Sequence, residues 1–364
     1  MLRVEVLFPP SSLFQSVSLP VMWTFEPRQT LVFGRPMELR HPITPGRSLP
    51  SCVPLTVLER SDDGTVSYKA FTMCFFRLSS PFELAVVMDH TTFFQQDLGE
   101  REAALAKLLE RCLALGREAD ARSLETEVYA EAEGEIAFPS TLSLYDGYND
   151  AWLPNALLRM GFHKTGEQQC LTSEKPVELD HSEKMGGVTV RPWRRERLQQ
   201  LWTTGLHLME NPHNLVEEDV ISRTRFNSLA FWRESASGKE GSGFVSVAEK
   251  GLMRKSLVGA AFWLPNLYSV AWTERTRLYY MAGEAVKERL RETTGKVFKL
   301  IVDREHFHLY ADLIADSVQR MRAFGVSRFQ VGNIPTRFTE PLNFLKERGF
   351  RVTHTVWKMR KELG

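Results

Sequence analysis

The sequence predicts an α/β protein made of two related modules in tandem. Three observations carry this. The run Gly325–Phe350, GVSRFQVGNIPTRFTEPLNFLKERGF, reads as a helix end, a buried strand, a loop opened by Asn333, a short helix and a Gly-Phe stop. A weaker copy, YDGYNDAWLPNALLRMGF, stands at Tyr145–Phe162, and both copies end in an apolar helical turn, Gly-Phe and a strand-like run. The third observation is length: 364 residues exceed one ordinary core and suit two.

The composition narrows the function classes. Apolar residues make up 43% and charged residues 25%, the balance of a soluble globular chain. A net charge of +1 calls for neither nucleic acid nor an anionic membrane as partner. Cys52, Cys74, Cys112 and Cys170 are scattered, with no C-x-x-C pair. Cys74 and Cys112 fall in apolar patterns and are expected to be buried, reduced thiols, which fits a cytoplasmic location. The apolar start is broken by Pro9 and Pro10, and no apolar stretch is long enough to span a bilayer.

The elements follow in order. Residues 1–50 read as a proline-punctuated, irregular lead-in with short β-like runs at Leu2–Phe8 and Thr30–Phe33. From Pro54, two β-rich runs flank SDDG, a hairpin signal. Phe82–Met88 is a buried strand by its continuous apolar run. Glu100–Arg117 is a helix, with Leu105, Leu108, Leu109 and Cys112 on one face. A strand over Ser123–Phe138, a short helix over Trp152–Met160 and a strand over Phe162–Thr172 close the first module. Residues 1–175 form this module, 176–187 a charged linker ending in Gly186-Gly187, and 188–364 the second. The second module opens with a strand at Val188–Pro192 and helices at Arg194–Met209 and Glu217–Phe226. A hairpin spans Phe244–Leu264, and Tyr279–Glu292 is helical. Val297–Val302 is a buried strand and Leu309–Phe324 a helix. Ser327–Val331, Thr339–Arg348 and Phe350–Met359 follow as strand, helix and closing strand.

In that order, with Asn333 ahead of a helix and the tail Lys346-Glu347-Arg348-Gly349-Phe350, the second module resembles the Gcn5-related N-acetyltransferase (GNAT) superfamily. The first module resembles it from the hairpin onward, without a recognisable first strand. The resemblance implies an α+β fold of two tandem GNAT-like modules, each a mixed, mostly antiparallel, twisted sheet flanked by helices. The first is expected to be the degenerate partner. The implied activity is transfer of an acyl group from acetyl-CoA or another acyl-CoA to a small-molecule or peptide amine. The alternatives are a tandem GNAT-fold aminoacyl- or peptidyl-transferase with a non-CoA donor, such as an aminoacyl-tRNA, and a non-catalytic binding protein.

The superfamily holds the pyrophosphate on a Q/R-x-x-G-x-G/A turn, where glycines let successive N–H groups approach the anion at a helix N-terminus. In the first module Gln96, Gly99 and Arg101 match its beginning, with Arg101 in place of a small residue. A polar helix cap by Asp97 explains the same residues. In the second module the loop is REHFHLY, without glycine, and places His308 and Tyr310 toward the donor. The tyrosine expected before K-x-G-F is replaced by Leu345 and, in the first module, by Leu157. Glu305, His306 and the strand-end acid Glu249 are candidate general bases for the amine, and Asn333 a substrate-steering residue. The competing readings are a solvated loop for the first two and a turn for Asn333. His306 and His308 offer a metal only two ligands, so none is expected.

Overall fold

A computed structural model describes residues 2–7, 38–40, 48–50, 52–79, 83–95, 97–132, 152–174, 187–194, 214–216, 242–251, 256–264, 294–323 and 325–364. The helices expected at 194–209, beyond Arg194 itself, which ends a strand, and at 217–226 and 279–292, together with residues 176–186 of the linker, lie outside these. The first half contains Leu2–Glu5 (β1), Cys52–Arg60 (β4), Val66–Ser79 (β5), Glu83–Phe93 (β6), Leu98–Glu118 (α1), Ser123–Ala132 (β7), Trp152–Arg159 (α2) and His163–Ser173 (β8). Glu38–Arg40 (β2) and Ser48–Pro50 (β3) pair only with each other. The second half contains Val188–Arg194 (β9), Asn214–Val216 (β10), Ser242–Lys250 (β11), Ser256–Leu264 (β12) and Thr294–Val302 (β13). A 3-10 segment, Arg304–Leu309, leads into Tyr310–Ala323 (α3), followed by Arg328–Pro335 (β14), Thr339–Glu347 (α4) and Arg351–Glu362 (β15).

One sheet runs β1-β4-β5-β6-β7-β15-β8-β14-β13-β12-β11-β9, with β10 paired to β13 off this path. Its described pairs are antiparallel except β6 with β7 and β13 with β14. The order repeats: β1, β4, β5, β6, α1, β7, α2 and β8 correspond to β9, β11, β12, β13, α3, β14, α4 and β15. β1 therefore supplies the first strand that the sequence seemed to lack. It pairs Leu2 with Glu59 and Glu5 with Thr56 on the edge of β4.

Each half has its own core. α1 lays Ala104, Leu105, Leu108, Leu109 and Cys112 on the sheet, where they meet Leu55, Val57, Val86 and Met88. That face follows from apolar residues at helical spacing, and burial rather than propensity holds the helix. Cys74 and Cys112 face each other across this contact, buried and reduced. α3 does the same in the second half with Leu313, Ile314, Val318 and Met321 against Val247, Ala260 and Leu300.

The halves exchange their last strands. β8, from the first half, pairs with β14. β15, from the second, pairs with β7 over Glu362↔Ser123 to His354↔Ala132. β8 and β15 then pair with each other at the centre of the sheet. Each core consequently holds a foreign residue: Met359 and Leu363 lie in the first, Leu171 in the second. Glu174, after β8, accepts from Arg328 and Arg351 at 2.9 Å each and so ties β14 and β15 to it. Among the described residues no helix is long and apolar enough to cross a membrane.

Candidate functional site

The two parallel pairs define two openings in the sheet. β6 and β7 are in register at Ala85↔Ser123, Val86↔Leu124 and Val87↔Glu125, and then separate, although both strands run on to Phe93 and Ala132. β13 and β14 are in register from Thr294↔Arg328 to Val297↔Val331 and separate likewise before Val302 and Pro335. A strand that loses its neighbour presents main-chain N–H and C=O groups along one edge, and these need partners. Above each opening a connection leads into a helix, α1 in the first half and α3 in the second.

The first-half connection carries an acid at the N-terminus of α1. Asp97 caps α1, and its Oδ1 accepts the Glu100 N–H at 2.9 Å. A Cβ on Gly99 would meet that same Oδ1 at 3.2 Å. Arg101 turns inward, is 4% exposed and donates from Nε to the Gln95 carbonyl at 2.7 Å. Arg101 is thus a buried loop clamp and not a surface phosphate ligand, which corrects the expectation for it. Gln96 lies outside the described residues. Lower in the opening, Thr126 Oγ1 donates to the Met88 carbonyl at 3.2 Å. Sequence reading missed Thr126, whose only signal was its place on an alternating strand.

In the second half the connection is closed by aromatic packing. Phe307 lies 5.5 Å from Tyr310 and 6.0 Å from Phe338, and Tyr310 lies edge-on to Phe344 at 5.5 Å. Tyr310 Oη donates to Glu340 Oε1 at 3.3 Å. Its phenol thus bridges α3 to α4 instead of facing a donor, a second correction. Burial and then the Glu340 carboxylate push it up to about 12.

The candidate bases fare differently. Glu249 is 3% exposed, and Arg191 holds both its oxygens, Nε to Oε2 and Nη2 to Oε1, at 2.8 Å. A carboxylate forked by a guanidinium in a buried place is a structural ion pair, not a poised base. His306 is buried; its Nε2 lies 3.2 Å from Lys250 Nζ and its Nδ1 3.5 Å from Asp303 Oδ2. A Lys250 ammonium can only donate, so Nε2 is the acceptor in that contact, and the buried Nδ1 makes no hydrogen bond, its 3.5 Å approach to Asp303 included. The Lys250 contact ties the 3-10 segment to β11, and the Asp303 N–H, donating to the Val258 carbonyl at 2.8 Å, ties it to β12. Glu305 and His308 are exposed on that segment. Asn333 sits inside β14, buried, two residues past its last pairing with β13 at Val331, and not in a loop. Among the described residues no group of three His, Cys, Asp or Glu is placed to hold a metal.

Comparison with known proteins gives a likeness in fold. No family model matches the sequence, and no curated protein does. Among solved structures, a GCN5-related N-acetyltransferase from Sphaerobacter thermophilus superposes with a TM-score of 0.50 at 12% identity, over 87% of this chain and 82% of that one. A GCN5-related glucosamine N-acetyltransferase region of a fungal multi-domain β-N-acetylglucosaminidase gives 0.53 at 11% identity, over 85% of this chain and 33% of that one. A probable N-acyltransferase from Enterococcus faecalis gives 0.51 at 9% identity, over 100% of this chain and 72% of that one. The chain has the GNAT fold.

Proposed function

We propose that this GNAT-fold chain is an N-acyltransferase that moves an acyl group from acyl-CoA to an amine. The observation that supports this best is the opening between β6 and β7, where a strand edge lies free of β7 beneath the N-terminus of α1. Main-chain N–H groups on such an edge can hold a thioester carbonyl. They can then stabilise the oxyanion that forms when the amine nitrogen attacks it, before the thiolate leaves. In this reading Glu249 and His306 hold the second half together and take no part in the proton transfer.

A second reading has its own support. Asp97 occupies one end where a pyrophosphate would sit, and aromatic rings fill the other. A donor that lacks a pyrophosphate, such as an aminoacyl ester, avoids both. Titration calorimetry with acetyl-CoA and with S-acetylpantetheine separates the two readings. Saturable binding of acetyl-CoA, tighter than that of the truncated thioester, supports the first. Equal binding of both means the pyrophosphate is not used. No binding of either at millimolar concentration overturns the acyl-CoA donor. Asp97→Asn keeps a capping oxygen but removes the charge. It should tighten acetyl-CoA by about 2- to 5-fold, the worth of one charge at a helix N-terminus, and leave S-acetylpantetheine unchanged.

A further inference from the structure

Two sulfur atoms meet inside the first core. Cys74 stands on β5, opposite Val53 of β4 on one side and Met88 of β6 on the other. Cys112 belongs to the buried face of α1, with Leu105, Leu108 and Leu109. Both residues are 0% exposed, both are free thiols, and their Sγ atoms lie 3.2 Å apart across 38 positions of the chain. A disulfide bond is about 2.05 Å long, so the sulfurs need close by only about 1.1 Å to form one. A buried cysteine packs as a small apolar side chain, and packing alone accounts for one of them. It does not call for two, on different elements, with their sulfurs in contact. Cys170 shows the contrast: its sulfur packs against the β14 backbone at Gly332.

The pair joins a helix to the sheet. Ion pairs of Lys69 with Glu100 and of Arg159 with Glu102 also link α1 to its neighbours, but they are partly exposed and contribute little. A covalent bond at Cys112 would fix α1 to β5, and α1 is the helix whose N-terminus stands above the β6–β7 opening. Neither thiol is reactive while α1 is seated. Burial, and then the neighbouring Cys74 sulfur, push the Cys112 thiol well above its ordinary value, so little thiolate forms. Oxidation therefore requires a small oxidant and a transient lifting of α1 from the sheet.

We propose that Cys74 and Cys112 form a redox latch: a peroxide closes them into an intramolecular disulfide that pins α1 to β5, and a dithiol reopens it. One thiolate attacks a peroxide oxygen, which breaks the O–O bond and leaves a sulfenic acid and water. The second thiol then displaces the hydroxyl from that sulfur as a second water. The two thiols give up two electrons and two protons, and the peroxide is reduced to water. A dithiol returns both electrons and both protons and is itself oxidised to a disulfide. The latch goes beyond the acyltransferase reading and stands without it.

Peroxide treatment of the full chain tests it. The remaining thiols are alkylated in denaturant and the unreduced peptides are mapped by mass. The expected product is one cross-link, Cys74 to Cys112, within a single chain. Its closure should lower the unfolding equilibrium constant by about a hundredfold, and dithiothreitol should restore the starting value. Cys170→Ala should keep both the cross-link and the gain. Cys74→Ala and Cys112→Ala should each lose both, so a folding defect in one variant does not decide the outcome. Sulfinic or sulfonic acid at either position without a cross-link would overturn the proposal. A cross-link that lowers stability would do the same, since the bond would then strain the core. Two unmodified thiols after peroxide treatment in sub-denaturing urea, where α1 opens more often, would reduce the pair to packing.

Discussion

Arg191 meets Glu249 with a fork, two N–H groups on two oxygens, and the carboxylate is out of water. Removing one partner of such a pair strands the other. Arg191→Ala should therefore destabilise the protein by about 3–5 kcal/mol, read by denaturant unfolding. Glu249→Gln, which keeps the shape and removes the charge, should cost less. A bell-shaped rate profile that lost its acidic limb in Glu249→Gln would contradict the structural role assigned here. Tyr310 gives the pH test. Its phenol is raised to about 12, against roughly 10 in an unfolded chain. Between those values the unfolded state has lost the proton and the folded state keeps it, so stability falls as pH rises from 10 toward 12. An alkaline absorbance titration should show one phenol ionising near 12 that is missing in Tyr310→Phe. The strand-end acid at 249 and the ionisable loop at 303–308 were both visible in the sequence. Their partners were not: Arg191 lies 58 residues from Glu249, and Lys250 lies 56 from His306. Pairings across a sheet leave no local pattern.

The helices and hairpins of the described regions were legible because burial imposes a period. α1 shows its buried face at Leu105, Leu108, Leu109 and Cys112, and the turn between β4 and β5 carries Gly64 at φ +82°, a position that favours glycine. β1 was harder to see, being four residues before a proline-rich stretch. The exit from β14 reads in sequence as a loop because Asn333 stands just ahead of Pro335. Gly332 before it is there for packing. A Cβ at Gly332 would meet Cys170 Sγ at 2.6 Å and Cys170 Cα at 3.0 Å, so β14 could not lie against β8 as it does. Gly332→Ala should destabilise by about 1–3 kcal/mol, the usual range for overpacking. Cys170→Ala in the same chain should recover only part of the loss, since the backbone contact remains. Full recovery in chemical unfolding would mean that the thiol alone set the fit.

The repeat was legible from the first hairpin onward, while the exchange of β8 and β15 was not. Both strands close their modules with the same alternation, and nothing in an alternating strand says which neighbour it joins. The consequence is testable. Residues 1–174 alone would lack the strand that pairs with β7, together with Met359 and Leu363 from the first core. Residues 187–364 alone would lack β8 and its Leu171 in the second core, and would leave β14 with an open edge. Each half would thus expose a long unpaired edge and a gap in its core, a combination that favours aggregation. Expressed separately, both halves should be insoluble or heterogeneous. Expressed together they should assemble, because every missing partner is then supplied in trans. Gel filtration gives the readout: one species at the mass of the intact chain in co-expression, with Glu174→Ala weakening the assembly more in low salt than in high, where its exposed ion pairs are already screened. Two soluble, monomeric halves with native-like spectra would mean that each closing strand can return to its own module. The exchange would then be a preference of the joined chain and not a requirement of the fold.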